Sequence, residues 1–226
     1  MNVTILTDIF SADNIRFLAN GLCNSLLISL VTVALSVILG SILAICRNYG
    51  NRAARAVSAA YIEIFRNTPL LLWILVCIFM LHFGTSMSRG GLALTLYTSS
   101  VIAEIMRGGL NSIAKGQFEA ARSQGFNFLQ TLWYIVMPQC FRRVVPSLMS
   151  QIITTIKDTS FLAQFAIAEF FFNAKVLMST LPQKVRITSA HIFTIFVFVA
   201  LVYFAINFSL SCLVRRLHKR NAGNRV

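Results

Sequence analysis

Long apolar runs separated by short polar segments dominate the chain. Residues 25–46 and 188–214 contain no Asp, Glu, Lys or Arg, and each exceeds the roughly 20 residues with which a helix crosses a hydrocarbon core of about 30 Å. Three further apolar stretches lie between them. The pattern predicts an all-α polytopic membrane protein with five transmembrane helices, at about residues 22–46, 60–83, 90–110, 146–168 and 188–214. Residues 1–226 are expected to form a single membrane domain, and residues 1–21 a short amphipathic stretch at the membrane surface.

Composition and charge agree with this interpretation. Hydrophobic residues make up 57% of the chain and charged residues 12%. Lys and Arg concentrate after predicted spans one, three and five, which predicts that the N-terminus lies outside and the C-terminus in the cytoplasm. The net charge of +13 therefore reflects anchors against anionic lipid and does not require a nucleic acid partner.

Residues for catalysis or metal binding are not grouped in the sequence. The five cysteines lack C-x-x-C spacing, and the three histidines are scattered. The sequence also has no G-x-x-x-x-G-K-[ST] phosphate loop. We therefore expect no metal, no cofactor and no enzymatic activity in this chain, and if ATP drives it, another chain binds the ATP.

The segment 111–145 lies on the side of the membrane where Lys and Arg concentrate. It is neither low in sequence complexity nor rich in Gly and Ser, so we expect a folded segment and not a linker. Residues 117–123 favour a helix with Glu119 in an early turn, which Gly125 is placed to end. Leu129, Trp133 and their neighbours at helical spacing predict a second helix over 128–137, ended by Pro138. The residues alone fit equally a docking surface for another protein and a self-packed hairpin at the membrane surface.

The fourth predicted span carries a polar face. Its polar members at helical spacing are Ser147, Gln151, Thr154 and Asp158, with Lys157 adjacent. Charges within a span cost about 2.5–3.5 kcal/mol on insertion scales and rarely face lipid. This face should line either a water-accessible passage, which we favour, or a helix interface. In span one, small residues at Ser25, Ser29, Ser36, Gly40 and Ala44 instead predict tight helix packing.

The run Asn67-Thr68-Pro69 interrupts the second span. A proline there frees a backbone carbonyl, which could be offered to a substrate. The same run could instead mark the point where an interfacial helix turns into the membrane. The sequence alone fits both interpretations.

An ordered set of residues resembles a known transporter family. Glu119-Ala120-Ala121, Gly125, Ile135 and Pro138 match the pattern E-A-A-x3-G-x9-I-x-L-P, with Met137 in the place of Leu. Further matching runs are 65–71, 103–110, Gly116-Gln117, Pro138-Gln139 and Lys157-Asp158-Thr159-Ser160. From about residue 20 to 220 the chain is similar to the ABC importer permeases of the polar amino acid uptake family. Asn67 and Phe161 depart from that family's common residues, Gly and Leu, and leave the substrate open.

The resemblance implies a type I ABC importer permease fold in a bacterial cytoplasmic membrane. Residues 119–125 would dock on a separate ATPase subunit. A second permease, identical or paralogous, would complete the path, and an extracytoplasmic binding protein would deliver a polar amino acid.

A zwitterionic amino acid needs partners of both charges. Asp158, or less clearly Glu104, is expected to hold the ammonium, and Arg66 or Lys157 the carboxylate. The alternative is that Arg66 pairs structurally with Glu63 or Glu104.

Overall fold

The structure is a computed structural model that describes residues 6, 7, 9–181 and 188–223, and every regular element in this part of the chain is helical. The α-helices are α1 (Ala12–Tyr49), α2 (Arg52–Arg66), α3 (Leu70–Met80), α4 (Ser86–Asn111), α5 (Lys115–Ser123), α6 (Phe128–Gln130), α7 (Met137–Asp158), α8 (Phe170–Thr180) and α9 (Ser189–Gly223). A π-helix (Thr131–Val136) precedes α7, and a 3-10 helix (Thr159–Phe165) follows it. The predicted all-α class is confirmed.

Helix α1 is the long helix at the centre of the fold. Its 38 residues correspond to about 57 Å at 1.5 Å per residue. The helix begins at Ala12, so residues 12–21 extend the first span instead of forming a separate surface stretch; residues 1–5 and 8 of that predicted stretch lie outside the described part of the chain. The Ser11 hydroxyl caps the helix by accepting from the N–H of Asn14 at 3.4 Å.

The small residues of α1 are buried, with Ser36 and Gly40 against α4 and Ser25 against the start of α8. Ser25, Ser29, Ser36, Gly40 and Ala44 are all buried, together with Thr32. A Cβ on Gly40 would lie 2.8 Å from the carbonyl oxygen of Ser99, so the backbones approach more closely than a larger residue allows. The predicted packing face of span one is confirmed.

The second predicted span is two helices instead of one. Helices α2 and α3 meet at 103°, across the break at 67–69. Thr68 stabilises the bend, because its hydroxyl donates to the carbonyl of Ile64 at 2.7 Å and accepts from Nε1 of Trp73 at 2.6 Å. Trp73 also stacks on Phe65, with ring centroids 4.1 Å apart. The amphipathic α2 followed by the apolar α3 agrees with the second interpretation of this break, in which an interfacial helix turns into the membrane.

The structure does not establish five spans. By length and apolar composition, α1 and the portion Ser189–Arg216 of α9 could cross a membrane, and up to four spans result if the pairs 52–80 and 128–180 each count as one bent span. Helix α4, which corresponds to the predicted third span, is outside this set. Its middle carries buried Thr95, Thr98, Ser99 and Ser100, which other helices enclose, so this face does not need to be apolar toward lipid.

The helix boundaries from Pro138 through the predicted fourth span also differ from the prediction. Pro138 does not end the preceding helical run, because it is the second residue of α7, where the π-helix changes to an α-helix. Proline has no N–H to donate to the preceding turn, and this position at the start of an α-helix tolerates that loss. Helix α7 therefore begins at Met137, continues through Pro146 and ends at Asp158. After the 3-10 helix, α8 departs at 43°.

Candidate functional site: the coupling loop and the polar face of α7

The turn after α5 is closed by a glycine in the left-handed region. Gly125 has φ +82°; its N–H donates to the carbonyl of Arg122 at 3.0 Å, and the N–H of Phe126 donates to the carbonyl of Ala121 at 3.0 Å. These two bonds form a Schellman motif. A Cβ at this position would meet nothing within 4 Å, so glycine is needed here for backbone conformation and not for space. The predicted helix end at Gly125 is confirmed.

The Glu-Ala-Ala run presents only part of its surface outward. Glu119 and Ala120 are exposed, whereas Ala121 is 2% exposed and packs inward. Helix α5 begins at Lys115, two residues before the predicted start, so Glu119 lies near its middle and not in an early turn. Of the two alanines, only Ala120 leaves room for close approach of another protein.

Aromatic and polar contacts fasten this loop to two long helices. Tyr49, the last residue of α1, lies 6.0 Å from Phe118 and 5.4 Å from Phe128 between ring centroids. Nε2 of Gln139 in α7 donates to Oε1 of Gln117 in α5 at 2.9 Å. These contacts connect the loop directly to α1 and α7.

A charge network lies where α1, α2 and α4 meet. Arg47 donates to Oε1 of Glu104 at 2.6 Å and to Oε1 of Glu63 at 3.1 Å. Nη2 of Arg107 donates to Oε2 of Glu104 at 2.8 Å, and its Nε is 3.0 Å from Oε1. Arg66 is farther away, with Nη1 at 3.8 Å from Oε2 of Glu104. Two of the predicted path residues, Arg66 and Glu104, are thus in one network of ion pairs.

The side chains at the 67–69 break form hydrogen bonds within the chain. Nδ2 of Asn67 donates to Oε2 of Glu63 at 3.2 Å, and the Thr68 hydroxyl is used between Ile64 and Trp73. Pro69 is exposed and directly precedes α3. The break is therefore held by its own polar groups.

A polar cleft of about 710 Å³ opens between α4 and α7. It is lined by Glu104, Ile105, Gly108, Gly109, Ser112, Arg143, Val144 and Ser147. From Ser147 the polar face of α7 runs through Gln151 and Thr154 to Asp158, roughly 16 Å along the axis. Each of these side chains is exposed or half-buried, whereas Leu148 and Ile156 on the other side of the helix are buried.

The charged pair at the end of α7 differs from the network at Glu104. Lys157 is exposed and Asp158 half-buried, and within the described ranges neither side chain has a hydrogen bond or an ion pair. Thr159 and Ser160 donate to the carbonyls of Ile156 and Lys157 at 2.8 and 2.7 Å. Their hydroxyls therefore cap the helix end, and Lys157 and Asp158 provide the ionic groups there.

Sequence reasoning missed a buried carboxylate at Glu169. Glu169 is 0% exposed and accepts from the N–H of Phe172 at 2.6 Å, the hydroxyl of Ser25 at 3.1 Å and the hydroxyl of Tyr203 at 3.4 Å. It caps α8 and joins it to α1 and α9. One signal was available, since Glu169 is one of only seven acidic residues and directly follows an apolar stretch.

No group of three or more His, Cys, Asp and Glu side chains that could hold a metal ion occurs in the part of the chain that the structure describes. The five cysteines are free thiols. Besides the buried Glu169, the candidate site comprises three groups of polar residues: the charge network, the α7 face, and residues 115–138, which we call the coupling loop for its proposed role.

Comparisons with known proteins identify the family. Residues 36–223 match the family described as the inner membrane component of binding-protein-dependent transport systems. The probable glutamine ABC transporter permease protein GlnP of Bacillus subtilis (strain 168) is 38% identical over 215 residues, covering 93% of this chain and 96% of that protein. The probable glutamine ABC transporter permease protein GlnM of the same strain is 35% identical, covering 97% and 98%.

The fold is shared with a chain in the crystal structure of an amino acid ABC transporter with histidines. The TM-score is 0.82 at 24% identity, covering 97% of this chain and 100% of that one. At this identity the likeness concerns the fold, and it agrees with the family match. The chain belongs to the inner membrane components of binding-protein-dependent transport systems, as an ABC transporter permease of the polar amino acid type.

Proposed function

We propose that this chain imports a polar amino acid across the cytoplasmic membrane, powered by a separate ATPase subunit that docks on the coupling loop. The observation that carries the proposal is the end of α5, where exposed Glu119 and Ala120 precede the left-handed Gly125. ATP is bound and hydrolysed by the partner, since the sequence has no phosphate loop. The relatives are named as glutamine permeases, which supports an amino acid as cargo.

Docking couples ATP hydrolysis to the helices through the contacts of the loop. Closure of two ATPase subunits shifts α5, and the Tyr49 and Gln139 contacts pass the shift to α1 and α7. The path then opens alternately to each side as a rigid-body movement. This mechanism needs α5 and its turn to hold one conformation.

A second permease completes the path. The polar face of α7 and the cleft beside α4 are open to the outside of the chain, and such a face is costly against lipid. Either an identical or a paralogous permease covers it. An extracytoplasmic binding protein delivers the substrate. The distribution of Lys and Arg supports an orientation with the N-terminus outside and the C-terminus in the cytoplasm.

The substrate meets the end of α7. Asp158 holds its ammonium, and Lys157, which has no ion pair within the described residues, holds its carboxylate. Gln151 and Thr154 continue the polar surface from these two residues toward the start of α7. Arg66 and Glu104 are assigned to the structural network, because each already has a partner of opposite charge.

The coupling role is tested at Gly125 with two substitutions of similar size. Gly125→Val places a β-branched residue at φ +82°, where such residues are genuine outliers, whereas Gly125→Asn is tolerated in the left-handed region. With the assembled transporter in proteoliposomes, we expect the valine variant to import at least about fivefold less substrate per ATP hydrolysed, equivalent to about 1 kcal/mol. The asparagine variant should stay within about twofold of the native ratio.

Permease content is measured in both preparations, so that failed insertion is not mistaken for uncoupling. If the valine variant retains substrate-stimulated hydrolysis and full uptake, the end of α5 has no coupling role and the proposal is wrong.

A further inference from the structure

The segment that follows α5 exposes an unusual set of large apolar side chains. This aromatic patch consists of Phe126, Phe128, Leu129, Trp133 and Tyr134, which are 37%, 48%, 63%, 61% and 73% exposed. Leu132 precedes Trp133 in the sequence, and Val136 follows Tyr134. These two side chains are 2% and 0% exposed and belong to the core with Ala44 and Met106. The apolar positions predicted on one helix face are thus divided between the core and the surface.

The π-helix produces this division. Its hydrogen bonds connect residues five positions apart, so side chains four and five positions apart lie on one side. Trp133 and Tyr134 are four and five residues after Leu129, and all three are exposed. The wider turn therefore presents two aromatic rings together outward while Leu132 and Val136 remain inside.

The patch lies at the level where the first membrane helix ends. The ring of Phe128 is 5.4 Å from that of Tyr49, the last residue of α1. Farther back along α1, Leu35, Ile38 and Ile42 form an exposed apolar surface. The patch lies near the end of α1, where the uncharged run 25–46 gives way to Arg47.

The residue types in the patch fit the headgroup region of a bilayer. Trp and Tyr are enriched there because one end of the ring system is apolar and the other can hydrogen-bond to water or headgroups. Exposed arginines flank the patch in the sequence, Arg122 before it and Arg142 after it. Basic residues at this level are attracted to anionic lipid by about 1 kcal/mol each.

We propose that the aromatic patch is seated in the interfacial region of an anionic lipid bilayer, with Trp133 and Tyr134 as its anchors. This contact with lipid anchors the segment that leads into α7 at the membrane surface. This proposal rests on the membrane location of the chain and not on the docking of the ATPase, so the two can fail separately.

The chain offers a direct probe, because it contains only two tryptophans, Trp73 and Trp133. The complete transporter is prepared with the native permease and with Trp133→Phe, and the difference in tryptophan emission isolates Trp133. Both are reconstituted in vesicles of phosphatidylethanolamine and phosphatidylglycerol that contain lipid brominated near the headgroup, lipid brominated near the chain ends, or no bromine. If Trp133→Phe assembles poorly, Trp133→Tyr supplies the same difference, because it also removes only the emission of Trp133.

We expect headgroup-proximal bromine to reduce the emission of Trp133 by about half or more, and chain-end bromine to reduce it less. Equal emission in brominated and unbrominated vesicles would overturn the proposal. It is also overturned if bromine quenches Trp133 in the isolated full-length permease but not in the complete transporter, since a protein subunit then covers the patch.

Discussion

Two groups of charged residues in this molecule have opposite surroundings. At the meeting of α1, α2 and α4, Glu104 is approached by Arg47 at 2.6 Å, Arg107 at 2.8 Å and Arg66 at 3.8 Å. At the end of α7, Lys157 and Asp158 have no ion pair within the described residues. The first group is paired within the chain, whereas the second has no ionic partner in the part of the chain that the structure describes.

The difference separates structural charges from charges available to a ligand. A carboxylate withdrawn from water is costly unless it is paired and hydrogen-bonded. Glu104 meets this condition inside the chain, so it stabilises the junction of three helices. Asp158 is half-buried and has no such partner among the described residues, which leaves its carboxylate available to a ligand.

The largest expected effect follows from neutralising Asp158. Asp158→Asn removes the anion that we assign to the substrate ammonium, and a charge-assisted hydrogen bond contributes about 1.5–3 kcal/mol. Uptake of labelled amino acid by proteoliposomes, supplied with binding protein and ATP, should fall at least about tenfold. Because the native carboxylate has no ion pair or hydrogen bond among the described residues, the thermal midpoint should stay nearly unchanged.

Asp13→Asn is the matched control, since it makes the same chemical change at an exposed carboxylate in the first turn of α1. It should import at the native rate. Undiminished uptake by Asp158→Asn at normal permease level would remove Asp158 from the path, and a large loss of stability would place it among the structural charges.

The next effect is on stability and concerns Glu104. Glu104→Gln leaves Arg47, Arg66 and Arg107 close together without the carboxylate between them, at a site where the Glu104 side chain is only 17% exposed. We expect a loss of about 2 kcal/mol, which for a chain of this size lowers the thermal midpoint by about 4–8 °C.

Glu63→Gln provides the comparison within the same network, because Glu63 also pairs with Arg47 but its side chain is 58% exposed. Exposed pairs contribute about 0–1 kcal/mol, so its midpoint should fall by at most about 4 °C. Equal midpoints for the two variants in a fluorescence-detected melting experiment would show that burial does not distinguish the two carboxylates.

Features that depend on neighbouring residues in the sequence were predictable. The left-handed end of α5 follows from Gly125 after a short helical run, and the packing face of α1 follows from small residues spaced four apart, because both signals are local. The Glu-Ala-Ala run pointed to the family for the same reason. Its two alanines nevertheless differ, since burial of Ala121 depends on what packs beneath α5.

Features that depend on distant parts of the chain were not predictable. Arg47 completes the Glu104 network from 57 positions away, and Ser25 meets Glu169 across 144 positions, so no window along the sequence shows either contact. The predicted count of five spans is not confirmed by length and composition, for a related reason: α4 is enclosed by its neighbours, and composition alone does not show which faces meet lipid. The π-helix before Pro138 likewise changes which side chains are exposed without changing the sequence period.

The smallest expected effect concerns Arg66, which the sequence left as an alternative to Lys157 for binding the substrate carboxylate. The side chain of Arg66 is 44% exposed, and its Nη1 lies 3.8 Å from Oε2 of Glu104. Arg66→Gln should therefore cost less than about 0.5 kcal/mol and leave uptake within about twofold of native. Lys157→Gln, the same loss of charge beside Asp158, should raise the substrate concentration for half-maximal uptake several-fold without changing the thermal midpoint. Measuring both quantities for both variants tests the assignment, because a reversed result, with Arg66→Gln impaired in uptake and Lys157→Gln normal, would move the carboxylate site from the end of α7 to the charge network.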